Sequence, residues 1–157
     1  MHRFAQSIGF ALFAIAIAFS PAPSLAMGNL WSSGGEEKLK QAVSAVEAKD
    51  YVGAINLLKD VLADDAKNAD ALNYMGYSYR KLGNYEQALS YYKKALAVKP
   101  DHRGANEYIG EAYLELKQPD MAKAHLDKLA DICGVSCDEY RELKKAFDAY
   151  QARGRSS

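Results

Sequence analysis

Between Asp70 and Pro100, apolar and small side chains recur at spacings of three and four in two successive runs. The first run holds Leu72, Met75, Gly76, Tyr79 and Leu82, and the second holds Ala88, Leu89, Tyr92, Ala95 and Leu96. That period puts each set on one face of a helix. Gly83-Asn84 separates the runs at a turn dipeptide, and Pro100 stops the second. The pattern predicts two antiparallel helices buried against each other. Gly76, Ala88 and Ala95 allow close approach, while Leu72, Tyr79 and Tyr92 fill the gaps between them.

A frame shift of about 34 residues brings the pattern back on both sides. Downstream, Gly76, Tyr79, Leu82, Ala88, Tyr92 and Ala95 become Gly110, Tyr113, Leu116, Ala122, Leu126 and Leu129. Upstream, Tyr85, Ala88, Tyr92 and Ala95 become Tyr51, Ala54, Leu58 and Val61, while Gly76 and Tyr79 fade to Ala42 and Ala45. The spaced set Leu72-x2-Met75-Gly76-x2-Tyr79, Ala88-x3-Tyr92, Pro100 resembles the tetratricopeptide repeat, W-x2-L-G-x2-Y, A-x3-F, P. Leu72 stands for the Trp, Met75 for the Leu and Tyr92 for the Phe. The resemblance covers about residues 36–132 and implies an all-α fold, a right-handed α-solenoid of three helical hairpins. Repeats are expected at about 36–68, 69–102 and 103–134. Gly134 replaces Pro100 at the end of the third, as befits an atypical terminal repeat.

The flanks read differently. His2-Arg3, the apolar run Ile8–Phe19, the helix-ending Pro21 and Pro23, and Ser24-Leu25-Ala26 make a secretory signal over residues 1–26, with cleavage after Ala26. The run is too short to cross a bilayer of about 30 Å as a helix, and no Cys follows it to carry a lipid. Residues 27–35 are Gly/Ser-rich and are expected as a linker, with Ser33 and Glu36 forming a capping box where the first helix opens. Trp31 is expected to cover the open end of the stack or to anchor a partner. At the other end Ser136 and Glu139 read as a second capping box. They open a capping helix over 137–152, striped by Tyr140, Leu143, Phe147 and Tyr150, before a disordered tail at 153–157. Pro119 suits the first turn of its helix.

Composition narrows the chemistry. The formal net charge is zero, without the basic excess of a nucleic-acid binder. All eleven Tyr follow residue 50, whereas four of the five Phe lie in the first nineteen residues, so the leader is foreign to the body. The three histidines (His2, His102 and His125) form no nucleophile motif with Ser or Cys, and no phosphate loop or zinc spacing occurs. The chain is read as non-enzymatic, without a cofactor. Cys133 and Cys137, an even pair in an exported chain, are expected as a disulfide that fixes how the capping helix leaves the stack. The alternative is thiol-redox or copper handling, with His125 as a third ligand. The C-x3-C spacing is similar to the copper motif of some thioredoxin-fold assembly proteins, though nothing else in the chain is.

The resemblance implies a concave surface lined by the leading helix of each hairpin. Its non-core positions are Leu39, Val43 and Val46 in the first, Asn73, Tyr77, Arg80 and Lys81 in the second, and Glu107, Glu111, Leu114 and Glu115 in the third. This groove passes from apolar through polar-aromatic to acidic, and suits an extended peptide or a helix of some basic character. Family members that take a C-terminal carboxylate use clustered Lys, Arg and Asn. Asn73, Arg80 and Lys81 supply part of that set, and Glu107, Glu111 and Glu115 oppose it. The expected function is an exported, periplasmic or secreted, interaction module for a protein or peptide partner, with no nucleic acid and no membrane anchor after cleavage. Self-association through the end near Trp31 is the remaining alternative.

Overall fold

The computed structural model describes residues 28–155, with side chains from 34 to 154; the leader expected over residues 1–26, the side chain of Trp31 and the last two residues lie outside the described part. Among the described residues seven helices follow one another: α1 (Gly28–Glu47), α2 (Tyr51–Asp64), α3 (Ala69–Lys81), α4 (Tyr85–Val98), α5 (Arg103–Glu115), α6 (Pro119–Cys133) and α7 (Asp138–Arg155). There is no strand among the described residues, and no helix there is long and apolar enough to cross a membrane. The architecture is the expected right-handed α-solenoid of three hairpins, α1–α2, α3–α4 and α5–α6, closed by α7.

Local chemistry sets the helix starts, and it does so in phase. Asp50 and Asn84 accept from the backbone N–H groups of Gly53 and Gln87, at 2.9 and 3.3 Å. Asn68 and His102 accept from those of Ala71 and Ala105, at 2.9 and 3.2 Å. Each cap satisfies one of the N–H groups that a helix start leaves without a partner. Gln118 makes no such bond; Pro119 follows it at the first turn, where a missing N–H costs nothing.

The hairpins close through buried seams. Tyr92 has no solvent exposure, and a Cβ on Gly76 would lie 2.6 Å from its ring. Ala42, Leu58 and Val61 close the first seam, with Met75 reaching in from α3, and Ile109, Leu126 and Leu129 close the third. In the third repeat the residue pressed on glycine comes from elsewhere. A Cβ on Gly110 would lie 2.6 Å from Leu143 Cδ2, so α7 rather than α6 fills that notch. Leu126 stands where Tyr92 stood and is shorter, which leaves the room.

Three sequence expectations change. The segment read as a linker at 27–35 is helical from Gly28, so Ser33 lies inside α1 and not at its cap. Leu82, expected in the seam, is 49% exposed because it follows the last residue of α3 as its C-cap. The last helix spans Asp138–Arg155 rather than 137–152, which leaves Ser136 one residue short of the capping position and draws Arg153 and Gly154 into the helix.

Candidate functional site

The curvature of the stack defines the site. Among the described residues the backbones of α1 and α3, of α3 and α5, and of α5 and α7 come within 8 Å of each other, whereas those of α2, α4 and α6 do not. The leading helices are therefore closer together, and they form the inner wall of the bend.

Tyrosines run across this wall. The Tyr51 and Tyr77 rings meet edge-on at 6.3 Å, Tyr77 and Tyr108 at 4.9 Å, and Tyr108 and Tyr92 at 6.3 Å. Tyr51, Tyr74, Tyr77 and Tyr108, with Val43, Val46, Glu47 and Lys49, enclose a hollow of about 270 Å³. A second hollow of about 430 Å³, lined by Leu39, Val43, Tyr74, Glu36, Lys40 and Asp70, continues it along α1 and α3. Leu39 and Val43, expected as groove positions, line these hollows. Tyr77 does too, but half-buried between two rings rather than standing alone in solvent.

Beside the rings lies a charged cluster. The Arg80 guanidinium stacks 5.4 Å from the Tyr77 centroid and 5.6 Å from that of Tyr108, and pairs with Glu111 at 2.6 Å. Burial, the largest single influence, would lower its pKa, yet Glu111 together with the Tyr92 and Tyr77 hydroxyls outweighs it and holds the group above the ordinary value. Lys81 is exposed, its Nζ 5.1 Å from the Tyr77 centroid. Burial pushes the Tyr92 hydroxyl well up, and it does the same to the Tyr108 hydroxyl with Glu107 adding to the effect. Glu107 is 9% exposed, and burial together with Glu111, Glu139 and Glu142 raises its carboxyl to about 8, against a smaller opposing pull from Arg80.

Asn73 Oδ1 is a buried atom with no hydrogen-bond partner among the described residues, while Arg80 and the Tyr92 hydroxyl lie within interaction reach of each other. Buried polar atoms are ordinarily paired, because an unpaired one costs about 1–3 kcal/mol. Asn73 is therefore not the open groove residue the sequence suggested; it is 4% exposed, with an acceptor unused. Leu114 leaves the groove altogether. It is 7% exposed and belongs to the core cluster that holds Leu143 and Phe147.

At the far end Cys133 and Cys137 are joined in a disulfide, between the end of α6 and the start of α7. Glu139 has a carboxylate oxygen within 4.8 Å of both sulfurs. His125, considered as a third metal ligand, points elsewhere. Its Nδ1 donates to Asn106 Oδ1 at 3.0 Å, its ring stacks on Tyr113, and burial lowers its pKa.

Tyr74, Tyr108 and Asn106 carry no expectation from the sequence, and Tyr51 carries one only as a repeat position, not as a site residue. A signal existed for one pair, since Tyr74 and Tyr108 occupy equivalent places in consecutive repeats. Asn106 had none. It stands where Leu72 stood, and its amide donates to the carbonyls of Pro100 and His102 at 3.2 and 3.0 Å.

Known proteins give the architecture a family context. Residues 69–102 match one tetratricopeptide repeat family profile, and residues 105–132 match another. The DnaJ protein P58IPK homolog of Arabidopsis thaliana is 31% identical over 129 residues, covering 82% of this chain and 24% of its own length. This chain spans 24% or less of the first curated relatives it matches. Among solved structures, the Sgt2 repeat domain from Aspergillus fumigatus superposes with a TM-score of 0.67 at 21% identity, covering 78% of this chain and 80% of that one. The type III secretion chaperone SycD of Yersinia enterocolitica, solved in complex with a peptide of the translocator YopD, gives 0.65 at 14%, covering 76% and 93%. At such identities the likeness is one of fold. Residues 69–102 and 105–132 of this chain are thus tetratricopeptide repeats, set in a helical stack with one hairpin before them and one helix after.

Proposed function

We propose that this protein is an exported interaction module that holds a protein or peptide partner along the inner wall formed by α1, α3 and α5. One observation carries the reading. The tyrosine row from Tyr51 to Tyr108 borders a hollow of about 270 Å³ on this wall, with the exposed Lys81 beside it. Aromatic rings offer large contact area at small entropic cost, and a hollow between them can take the side chains of a partner. That SycD was solved with a translocator peptide supports the same use of the fold. The role is binding and not chemistry, because the sequence supplies no nucleophile or phosphate motif. The leader pattern over residues 1–26 supports a periplasmic or secreted setting.

Crosslinking in the native compartment identifies the partner. Tyr77→Ala with Lys81→Ala should then lower its capture about tenfold or more while the helical melting curve persists. Unchanged capture by a folded double variant removes the groove assignment. For export, the mass of the secreted form should correspond to a chain starting at Met27. A second reading, copper or thiol-redox handling at Cys133 and Cys137, draws on the nearby Glu139 carboxylate. Metal analysis of the protein reduced under argon tests it; stoichiometric copper would favour this reading.

A further inference from the structure

The chain shows on itself what the inner wall accepts. Arg80 lays its guanidinium on Tyr77 and Tyr108 and meets Glu111 at 2.6 Å, a cation held by two rings and one carboxylate. One helical turn before Glu111, on the same face of α5, stands a second carboxyl, Glu107. It is 9% exposed and makes no hydrogen bond or ion pair among the described residues. The groups facing it are Glu111 on its own helix, Arg80 from α3, and Glu139 and Glu142 from α7. Arg80 is engaged by Glu111, while Glu139 pairs with Arg103 at 3.5 Å and Glu142 with Lys145 at 3.7 Å. Buried carboxyls are ordinarily hydrogen-bonded or paired, and this one has only the weaker pull of an Arg80 already engaged by Glu111.

The geometry points to a partner that delivers a lysine or arginine side chain onto Glu107, beside Tyr108, as a second cation next to Arg80. This deepens the groove reading and rests on it. An acidic or carboxylate-terminated ligand would meet Glu107, Glu111 and Glu139 instead, and is disfavoured. Near neutral pH the Glu107 carboxyl is mostly protonated, because its pKa stands at about 8. As the cation seats, the proton leaves the carboxyl oxygen for solvent and the carboxylate stays behind in the ion pair. Binding at pH 7 therefore releases close to one proton.

The test uses the full chain and a library of randomised nine-residue peptides. An enriched peptide and its counterpart with Gln at the basic position are then titrated by calorimetry, in phosphate and in Tris, against the unmodified protein and Glu107→Gln. The expected result is enrichment of Lys or Arg at one position, proton release with the basic peptide only, and about tenfold or greater loss of its affinity in Glu107→Gln. Glutamine copies the shape of the neutral carboxyl, and the proton count on the unmodified protein stands independently of the variant. Peptides bound without basic enrichment, or basic peptides bound equally by Glu107→Gln, overturn this inference and leave the groove reading intact. Failure to retain any peptide overturns both.

Discussion

The chain passes from its second repeat to its third at Lys99–His102, and from its third to α7 at Gly134–Cys137, by two different constructions. At the first joint Lys99 is extended (φ −134°, ψ 89°), as Asp65 is between the first and second repeats (φ −138°, ψ 91°). His102 uses both ring nitrogens there. Nδ1 caps α5, and Nε2 donates to Asp70 at the start of α3 at 2.9 Å. Asn106 draws in the carbonyls of Pro100 and His102. At the second joint Gly134 takes φ 79° and ψ 169°, a conformation open essentially to glycine, and the disulfide closes the turn. The difference shows what each joint must do. A repeat joint only sets the next hairpin one step along, and side-chain hydrogen bonds suffice. The terminal joint has to lay α7 across both α5 and α6, and it uses a glycine turn and a covalent clasp.

The comparison can be broken from the terminal side first. Leu143 is fully buried against Gly110, so Leu143→Ala should cost about 2–5 kcal/mol in chemical denaturation, with α7 losing protection first. Next comes pH. The Glu107 carboxyl stands at about 8 in the folded chain against an ordinary 4.5. Between those values the folded state holds the extra proton, so this group's stabilising effect is complete below pH 4.5 and is lost as pH rises through 8. The fall should be on the order of 2–4 kcal/mol, and Glu107→Gln should flatten it in melting curves from pH 5 to pH 9. Reduction of Cys133–Cys137 should cost about 2 kcal/mol, the small value expected for so short a loop, and should fray α7 while the repeats stay intact by hydrogen exchange. On the repeat side, His102→Ala should cost about 1 kcal/mol, and His102→Asn less, because it keeps a cap acceptor while losing Asp70. If His102→Ala loosens α7 more than α5, the two joints are not independent.

Most of the fold was legible because it is periodic. Gly76 with Tyr92, and the apolar stripes on either side, announce helix seams whatever the partner. Legibility failed where the period breaks or where tertiary contact decides. Leu143 in the Gly110 notch depends on how α7 docks, which no local pattern encodes. Leu82 keeps its helical phase but falls at the C-cap, beyond the face that is buried. Leu114 sits in phase with Arg80, yet is buried among the residues that α7 completes. In the site, Leu39, Val43, Tyr77, Arg80 and Lys81 could be read as outward positions. The burial of Glu107 and Asn73 could not, because charges and amides on a helix face look solvated until a neighbouring helix covers them.

The internal turns of the three hairpins share one more property. Lys49, Gly83 and Lys117 all take positive φ, at 63°, 79° and 58°, and occupy equivalent places in successive repeats. Only the middle hairpin uses the residue for which that conformation is free of strain. Together with the matching extended residues at Asp65 and Lys99, this makes residues 69–102 a spare part with compatible fittings at both ends. A duplicate spliced in after His102 would lengthen the scaffold by one hairpin without redesign of either splice.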